Sequence, residues 1–528
     1  MRLWQGSRIV ISLVLVLAHR TGADTGSRVQ ELINSPGYEA AHWGLLVVDA
    51  ETGESVYELN ADQLYGLASV TKLFTCAAAL NELGADFRFQ TPVVRDGEVD
   101  ENGTLLGNLI LIAQGDLCLG GRTDADGSLL FRDQDHTYAG GYDAELVPRD
   151  PLGGLDHLAR EVHAAGIRLI QGDIVIDDRL FELAESTGSG PKRVVPILVN
   201  DNLVDVVVAP AEEPGELAAV RTVPPSIYYS MDARVETVAE GQPLRVSVHP
   251  EGSRRFSVRG QIPIGHKEVL KVYEVQEPSA FARALFIEKL RERGIEVSAS
   301  PLGENRADRL PPLKEVSAMP KVAEYTSPTF REYLKVILKV SHNLYASTLP
   351  MLLASRHGER TLSEGLRRQG AILESLGIVP GTVSFGGGAG GDRADLASPR
   401  ATVALLRAMA RHPDGPAFEA ALPILGRDGT AAQHVDADSP VRGHVRAKTG
   451  SYYVTDRLTG RTVLTSKALA GYMETASGRS LVFAFFVNNV PPGSEDREAS
   501  AISLVAGQLL GALCEVFYSA SESDEDVP

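Results

Sequence analysis

Ser69 and Lys72 stand three positions apart where an apolar stretch, "GLASVTKLFTCAAALNELG", turns from loop into helix. Residues three apart on a helix are neighbours, so the lysine amine can reach the serine hydroxyl. At a helix start the backbone dipole disfavours a cation, and partial burial pushes the lysine the same way, toward the neutral amine. A neutral amine beside a hydroxyl is a base beside a weak nucleophile, the pairing that acylating serine enzymes need. The free N–H groups of the first turn can also face a developing oxyanion. A helix cap with a solvated lysine has the same spacing, so the pair needs company before it means catalysis.

Two further motifs supply it. "KVSHNLYAS" sets Ser341 and Asn343 either side of His342, just after a helical stretch. "VRAKTGSYY" sets Lys448, Thr449, Gly450 and Ser451 on a stretch that reads as a strand. Lys448 and Thr449 offer a cation and a hydroxyl to a carboxylate, and Gly450 lets a substrate backbone approach closely. Ser-x-x-Lys, Ser-x-Asn and Lys-Thr-Gly in this order, on helix, loop and strand, form the set associated with penicillin-recognising serine enzymes. The 12 histidines contain no His-Glu-x-x-His pattern, so neither a metal nor any other cofactor is expected.

These motifs must be positioned by elements that the rest of the chain supplies. "WGLLVVDAETGESVYELN" reads as a hairpin, and "LAGYMETASGRSLVFAFFVNN" as a second one near the other end, leading into the helix "REASAISLVAGQLLGALCEVFY". The Ser69 helix ends near "NELGAD", with Gly84 as its cap. Strands at both ends and helices between them imply one α/β domain assembled from distant parts of the chain. Residues from about 95 to 315 are instead rich in short strands and turns, which reads as an insertion.

The chain has 528 residues, 44% of them hydrophobic, enough for two or three domains. Residues 1–23 pair Arg2 and Arg8 with the apolar run "IVISLVLVLA", as a secretory signal peptide does, and imply export to the periplasm or cell envelope. Three cysteines, Cys76, Cys118 and Cys514, are too few for a disulfide framework. A net charge of −18 disfavours nucleic acid, whose phosphates need clustered Lys and Arg. The tail at 519–528 is acidic and reads as disordered.

With the motifs in hand, the chain resembles the D-alanyl-D-alanine carboxypeptidase/endopeptidase family typified by low-molecular-mass penicillin-binding protein 4 (peptidase family S13). "LASVTKLFTCAAALNELGADFRFQT", "GDIVIDDRLF", "VNDNLVDVVVAP", "LPILGRDGT" and "AKTGS" with "ALAGY" carry the likeness along nearly the whole chain after the leader. The resemblance implies a penicillin-recognising, transpeptidase-like α/β domain, an antiparallel sheet with helices on both sides. It implies residues 24–94 and 316–518 for that domain, 95–182 and 268–315 for a strand-rich insertion, and 183–267 for a second insertion nested within it.

It also implies roles. Ser69 would be acylated with Lys72 as its base, Ser341 would relay a proton to the leaving group, and Asn343 would hold Ser341 and the substrate amide. Lys448 and Thr449 would bind the terminal carboxylate of a peptidoglycan stem peptide, and the amides of Ser69 and Ser451 would form the oxyanion hole. β-Lactams would be covalent inhibitors. Asp177 of "VIDDRLF" would reach the active site from the insertion, although next to Asp178 it could equally cap a turn.

Two stretches depart from the family pattern. "YYVTDRLTGRTVLTSK" lengthens the hairpin after Ser451 and would sit at the rim of the cleft. "FGGGAGGDRADLASP" contains Gly386, Gly388 and Gly391 in a Gly-x-Gly-x-x-Gly spacing, but without the βαβ unit that a dinucleotide site requires it reads as a flexible turn beside the active site. A β-lactamase would share the acylation chemistry. The class A solution is disfavoured because no asparagine lies between Asn343 and Lys448. A catalytically silent peptidoglycan-binding protein is the remaining alternative on the same scaffold.

Overall fold

The computed structural model describes residues 25–139, 144–491 and 498–520. The expected signal peptide lies outside the described residues, as does all of the acidic tail but residues 519 and 520. The chain forms two compact units. One comprises Met1–Ala85, Leu334–Leu353 and Leu366–Pro528, and the other Asp86–Tyr333 and Ala354–Gly365.

The first unit is built on a five-stranded sheet. Strands β1 (His42–Asp49), β2 (Ser55–Leu59), β3 (Val445–Thr455), β4 (Thr462–Glu474) and β5 (Ser480–Val490) are arranged in the order β2-β1-β5-β4-β3. Every neighbouring pair is antiparallel. The two expected hairpins are thus β1–β2 and β4–β5, and the sheet joins them through β1 and β5. The sequence of β5, "SLVFAFFVNNV", is apolar on both faces because it lies in the interior of the sheet. Leu481, Phe483, Phe485 and Val487 pack in a core with helices α1 (Thr25–Ile33) and α5 (Ala499–Tyr518). By strand alternation Val482, Ala484 and Phe486 face the opposite side. Helices α2 (Thr71–Leu83) and α4 (Pro399–Ala410) belong to the same unit, and α4 packs on β1, β4 and β5. Helix α5 is long and apolar enough to cross a membrane, yet Leu509, Leu510, Leu513, Val516 and Phe517 are all buried in this core.

The second unit begins earlier and ends later than the expected 95–315. The reason is a pairing that the strand pattern did not specify. Gln90–Val99 forms hydrogen bonds with both Thr104–Ile112 and Lys321–Thr326 in a six-stranded sheet of this unit. Segment 354–365 joins it as well, with the Glu182 amide donating to the Arg360 carbonyl at 2.9 Å. Across the expected 267/268 boundary, Val269–Glu274 pairs along Leu203–Ala209 in the segment expected to be nested.

Candidate active site

The loop carrying Ser69 is held in an unusual conformation before α2 begins. Ser69 lies in a single 3₁₀ turn, Ala68–Val70, and Lys72 is the second residue of α2, so the serine precedes the α-helix rather than opening it. Ala68 has φ 46°, a left-handed conformation that a side chain tolerates poorly unless neighbours hold it there. They do. Asn488 on β5 accepts from the Gly66 amide at 2.7 Å, and Ser466 on β4 donates to the Gly66 carbonyl at 2.6 Å. The Leu67 amide donates to the Asp395 carbonyl at 3.2 Å.

Lys72 is fully buried. Its amine lies 2.9 Å from Ser69 Oγ, 2.7 Å from Asn343 Oδ1 and 2.6 Å from the Ala389 carbonyl oxygen. Burial pulls its pKa down to about 7, against smaller upward pulls from Cys76 and Asp395. Cys76 is a buried apolar neighbour whose own thiol burial pushes up to about 12, so it takes no part as a thiolate. Near neutrality, then, Lys72 is available as a free amine within hydrogen-bonding reach of a half-buried serine hydroxyl.

Ser341 has φ 65°, the second left-handed non-glycine residue at the site, and begins the link to helix α3 (Asn343–Arg356). Lys448 donates to Ser341 Oγ at 3.0 Å and to the Thr449 carbonyl at 2.8 Å. Burial, and next the charge of Lys72, hold Lys448 well below the usual lysine range. It stands on β3, the edge of the sheet, as the Lys-Thr-Gly motif requires if a ligand is to lie along that edge. Thr449 Oγ1 donates to Thr430 Oγ1 at 2.6 Å. Gly450 is obligatory, because a Cβ there would stand 2.4 Å from the Leu67 carbonyl oxygen and 3.2 Å from the Ser69 nitrogen. Strand β3 and the Ser69 turn therefore touch backbone to backbone, which places the amide-bearing Ser69 and Ser451 on neighbouring segments.

Ser69, Lys72, Ser341, Asn343, Lys448, Thr449, Gly450 and Ser451 are thus gathered in one unit. Asp177 is not among them. It ends the strand Ile174–Asp177 of the other unit, is 1% exposed, and gives both carboxylate oxygens to Arg179 at 2.7 and 2.8 Å. Its carboxylate is held in a local ion pair.

Other participants escaped the motif reading. The glycine-rich stretch is a packed part of the site: Ala389 supplies a carbonyl to Lys72, and a Cβ on Gly390 (φ 91°) would stand 1.9 Å from the Ala68 carbonyl oxygen. Asp395 is buried, with its carboxyl raised to about 6 by that burial while the Asp392 and Gly386 amides donate to it. Thr430 belongs to "LPILGRDGT", where Asp428 is gripped by Lys339 at 2.6 Å. The clustering of glycines and the repeated Asp were the only sequence signals for these groups.

Comparison with known proteins places the chain in a family. The model of the D-Ala-D-Ala carboxypeptidase 3 (S13) family matches residues 26–508. A D-alanyl-D-alanine carboxypeptidase of Actinomadura sp. (strain R39) is 28% identical over 495 residues, covering 88% of this chain and 82% of the relative. The D-alanyl-D-alanine carboxypeptidase DacB of Haemophilus influenzae is 25% identical over 485 residues, covering 88% and 89%. The crystal structure of penicillin-binding protein 4 from Haemophilus influenzae superposes with a TM-score of 0.67 at 22% identity, over 92% of this chain and 99% of that one. A second structure of that protein, in complex with a β-lactam, gives 0.64 at 23% identity and the same coverage. With the match running through nearly all of both units, the chain belongs to the D-Ala-D-Ala carboxypeptidase 3 (S13) family of peptidases.

Proposed function

We propose that the protein is an exported serine-type D-Ala-D-Ala carboxypeptidase/endopeptidase that cuts peptidoglycan stem peptides through an acyl-enzyme on Ser69. The observation that carries this reading is the buried Lys72 amine 2.9 Å from Ser69 Oγ, with its pKa drawn down to about 7. Lys72 takes the hydroxyl proton as Ser69 Oγ attacks the carbonyl of the penultimate D-Ala. The amides of Ser69 and Ser451 receive the developing oxyanion. Lys448 and Thr449 hold the terminal carboxylate, and Asn343 holds the substrate amide. Ser341, linked to Lys448 at 3.0 Å, passes a proton to the departing amine, so that D-Ala leaves as the C–N bond breaks. Water then attacks the ester, returning the hydroxyl to Ser69.

Trimming a terminal D-Ala and opening a D-Ala–diaminopimelate crosslink are the same reaction with different leaving groups. What the cleft admits beyond the scissile bond decides between them. The apolar leader at 1–23 supports a site of action in the periplasm or cell envelope. The test is incubation with penicillin followed by intact-mass analysis and peptide mapping, with Ser69→Ala alongside. A persistent adduct on the Ser69 peptide, absent from the variant, is the expected result. Rapid release of hydrolysed penicillin would favour a lactamase, and no adduct on a folded protein would leave only a silent binding role.

A further inference from the structure

Behind the Lys-Thr-Gly strand lies a second buried lysine that the mechanism above does not use. Lys467 on β4 is directly opposite Ser451 in the β3–β4 register. It is 2% exposed, and its amine donates to Ser451 Oγ and to Ser503 Oγ of α5, each at 3.0 Å. Ser503 Oγ in turn donates to Ser451 Oγ at 2.9 Å, closing a three-membered ring across β3, β4 and α5. Strand alternation puts this ring on the side of the sheet that faces α5. Lys448 and Gly450, which meet Ser341 and the nucleophile turn, are on the other side.

Two features indicate that the ring serves position rather than stability. Among the described residues no carboxylate pairs with Lys467, and burial alone draws its pKa down to about 7. The titratable groups that feel its charge are His434 and Lys448, both of which it disfavours in their charged forms. A buried amine with no counter-ion is a poor way to hold a fold together, since an apolar side chain of similar size would do so with less desolvation. The ring is also placed where the strand needs holding. Regular pairing breaks at Tyr452/Tyr453, and beyond it Tyr452, Tyr453, Val454 and Leu458 are exposed on the lengthened hairpin. Ser451 is thus held from the α5 side just before that arm begins.

We propose that Lys467 is a positioning residue that, by tying the Ser451 hydroxyl to Ser503 of the C-terminal helix, fixes the Ser451 amide at the place where the oxyanion forms. The inference rests on the acyl-enzyme reading of Ser69 given above. A displaced donor lowers the rate of the chemical step while leaving initial binding alone, and a shift of about 1 Å is enough to slow a reaction on the order of 100-fold.

The test is the kinetics of penicillin acylation in the full chain, resolved into the affinity of the initial complex and the rate constant of acylation. Thermal melting is recorded in parallel. For Lys467→Met the expected result is an acylation rate constant lowered ~10- to 100-fold, an unchanged initial affinity, and a melting temperature equal to or above that of the parent. A purely structural lysine would lower the melting temperature and leave the acylation rate constant of the folded fraction intact, which overturns the proposal. Ser503→Ala removes only a hydroxyl and guards against a Lys467 variant that fails to fold. A several-fold fall in the acylation rate constant supports the proposal, and an unchanged one overturns it. A parent protein that forms no adduct on Ser69 overturns the acyl-enzyme reading and this inference together, whereas normal acylation by parent and variants alike overturns the inference only.

Discussion

Each of the two units buries a cluster of charged side chains, and the clusters are built on opposite plans. In the unit carrying Ser69, the amines of Lys72, Lys448 and Lys467 are buried among hydroxyls, amides and carbonyls, and among the described residues none pairs with a carboxylate. In the other unit Arg122 is equally buried, but Asp135 meets it at 2.7 and 3.1 Å and Asp201 at 2.6 Å. His136 lies beside it between Asp201 at 2.7 Å and Asp205 at 2.8 Å. Burial alone would strip the proton from His136. The carboxylates of Asp205 and Asp135 outweigh it and hold the ring's pKa well above its usual value. The same desolvation therefore prevails at Lys72, Lys448 and Lys467 in one unit and is outweighed by carboxylates at His136 in the other. The first arrangement can exchange protons with a substrate, and the second holds a shape.

Substitutions at the two clusters should have opposite signs. Lys72→Met removes the proposed base and should slow penicillin acylation of Ser69 by ~10²- to 10⁴-fold. Because it also removes a desolvated, unpaired amine, the melting temperature should hold or rise. Arg122→Met takes the guanidinium away from two buried carboxylates and should lower unfolding free energy by about 3–5 kcal/mol, read from denaturant midpoints at constant slope. A destabilised Lys72→Met or an undisturbed Arg122→Met would erase the distinction between the clusters. pH sharpens the comparison. An amine accepts a proton only when it has lost its own, so acylation should rise as pH climbs through about 7, the value to which burial brings Lys72. A rate that is flat from about pH 5 to 9 would remove Lys72 from the role of base.

The part of this site that was legible in the sequence is the part whose chemistry demands particular side chains at short spacings. Ser69 with Lys72, Ser341 with Asn343, and Lys448 with Thr449 are three local pairs, and the order of their motifs implied that the fold brings them together. Helix α2, its Gly84 terminus at φ 80° and the two hairpins were legible too, because apolar periodicity and turn residues act locally. What escaped is non-local or carried by backbone. Any residue could offer the carbonyl that Ala389 gives to Lys72, so only the crowding of Gly390 against Ala68 explains that segment. Lys467 reads as an ordinary polar residue in a strand until α5 covers it. The unit boundaries turned on whether Gln90–Val99 pairs within its own neighbourhood or with the catalytic sheet, and strand periodicity does not specify a partner. For Asp177 the partner in reach is two residues away, Arg179.

The smallest predicted effect concerns Lys448, and it follows from the same contrast. Burial and the neighbouring Lys72 hold this amine well below its usual range, so in the free protein it keeps its proton less tightly than an ordinary lysine does. A ligand carboxylate arriving at Lys448 and Thr449 supplies the counter-ion that the site lacks, which raises the lysine's affinity for its proton. Binding must then draw a proton from solvent. With Ser69→Ala to prevent turnover, calorimetric titration of a D-Ala-D-Ala peptide in two buffers of different ionisation enthalpy should reveal uptake of a fraction of one proton, larger at higher pH. That fraction should shrink as the pH falls and the free amine becomes protonated beforehand. An amide-capped peptide, lacking the terminal charge, should take up none. Uptake from the capped peptide would assign the proton to a group other than Lys448, and no uptake from the free acid would mean that the amine is already charged in the empty site. In that case the contrast between the clusters would narrow to Lys72 and Lys467.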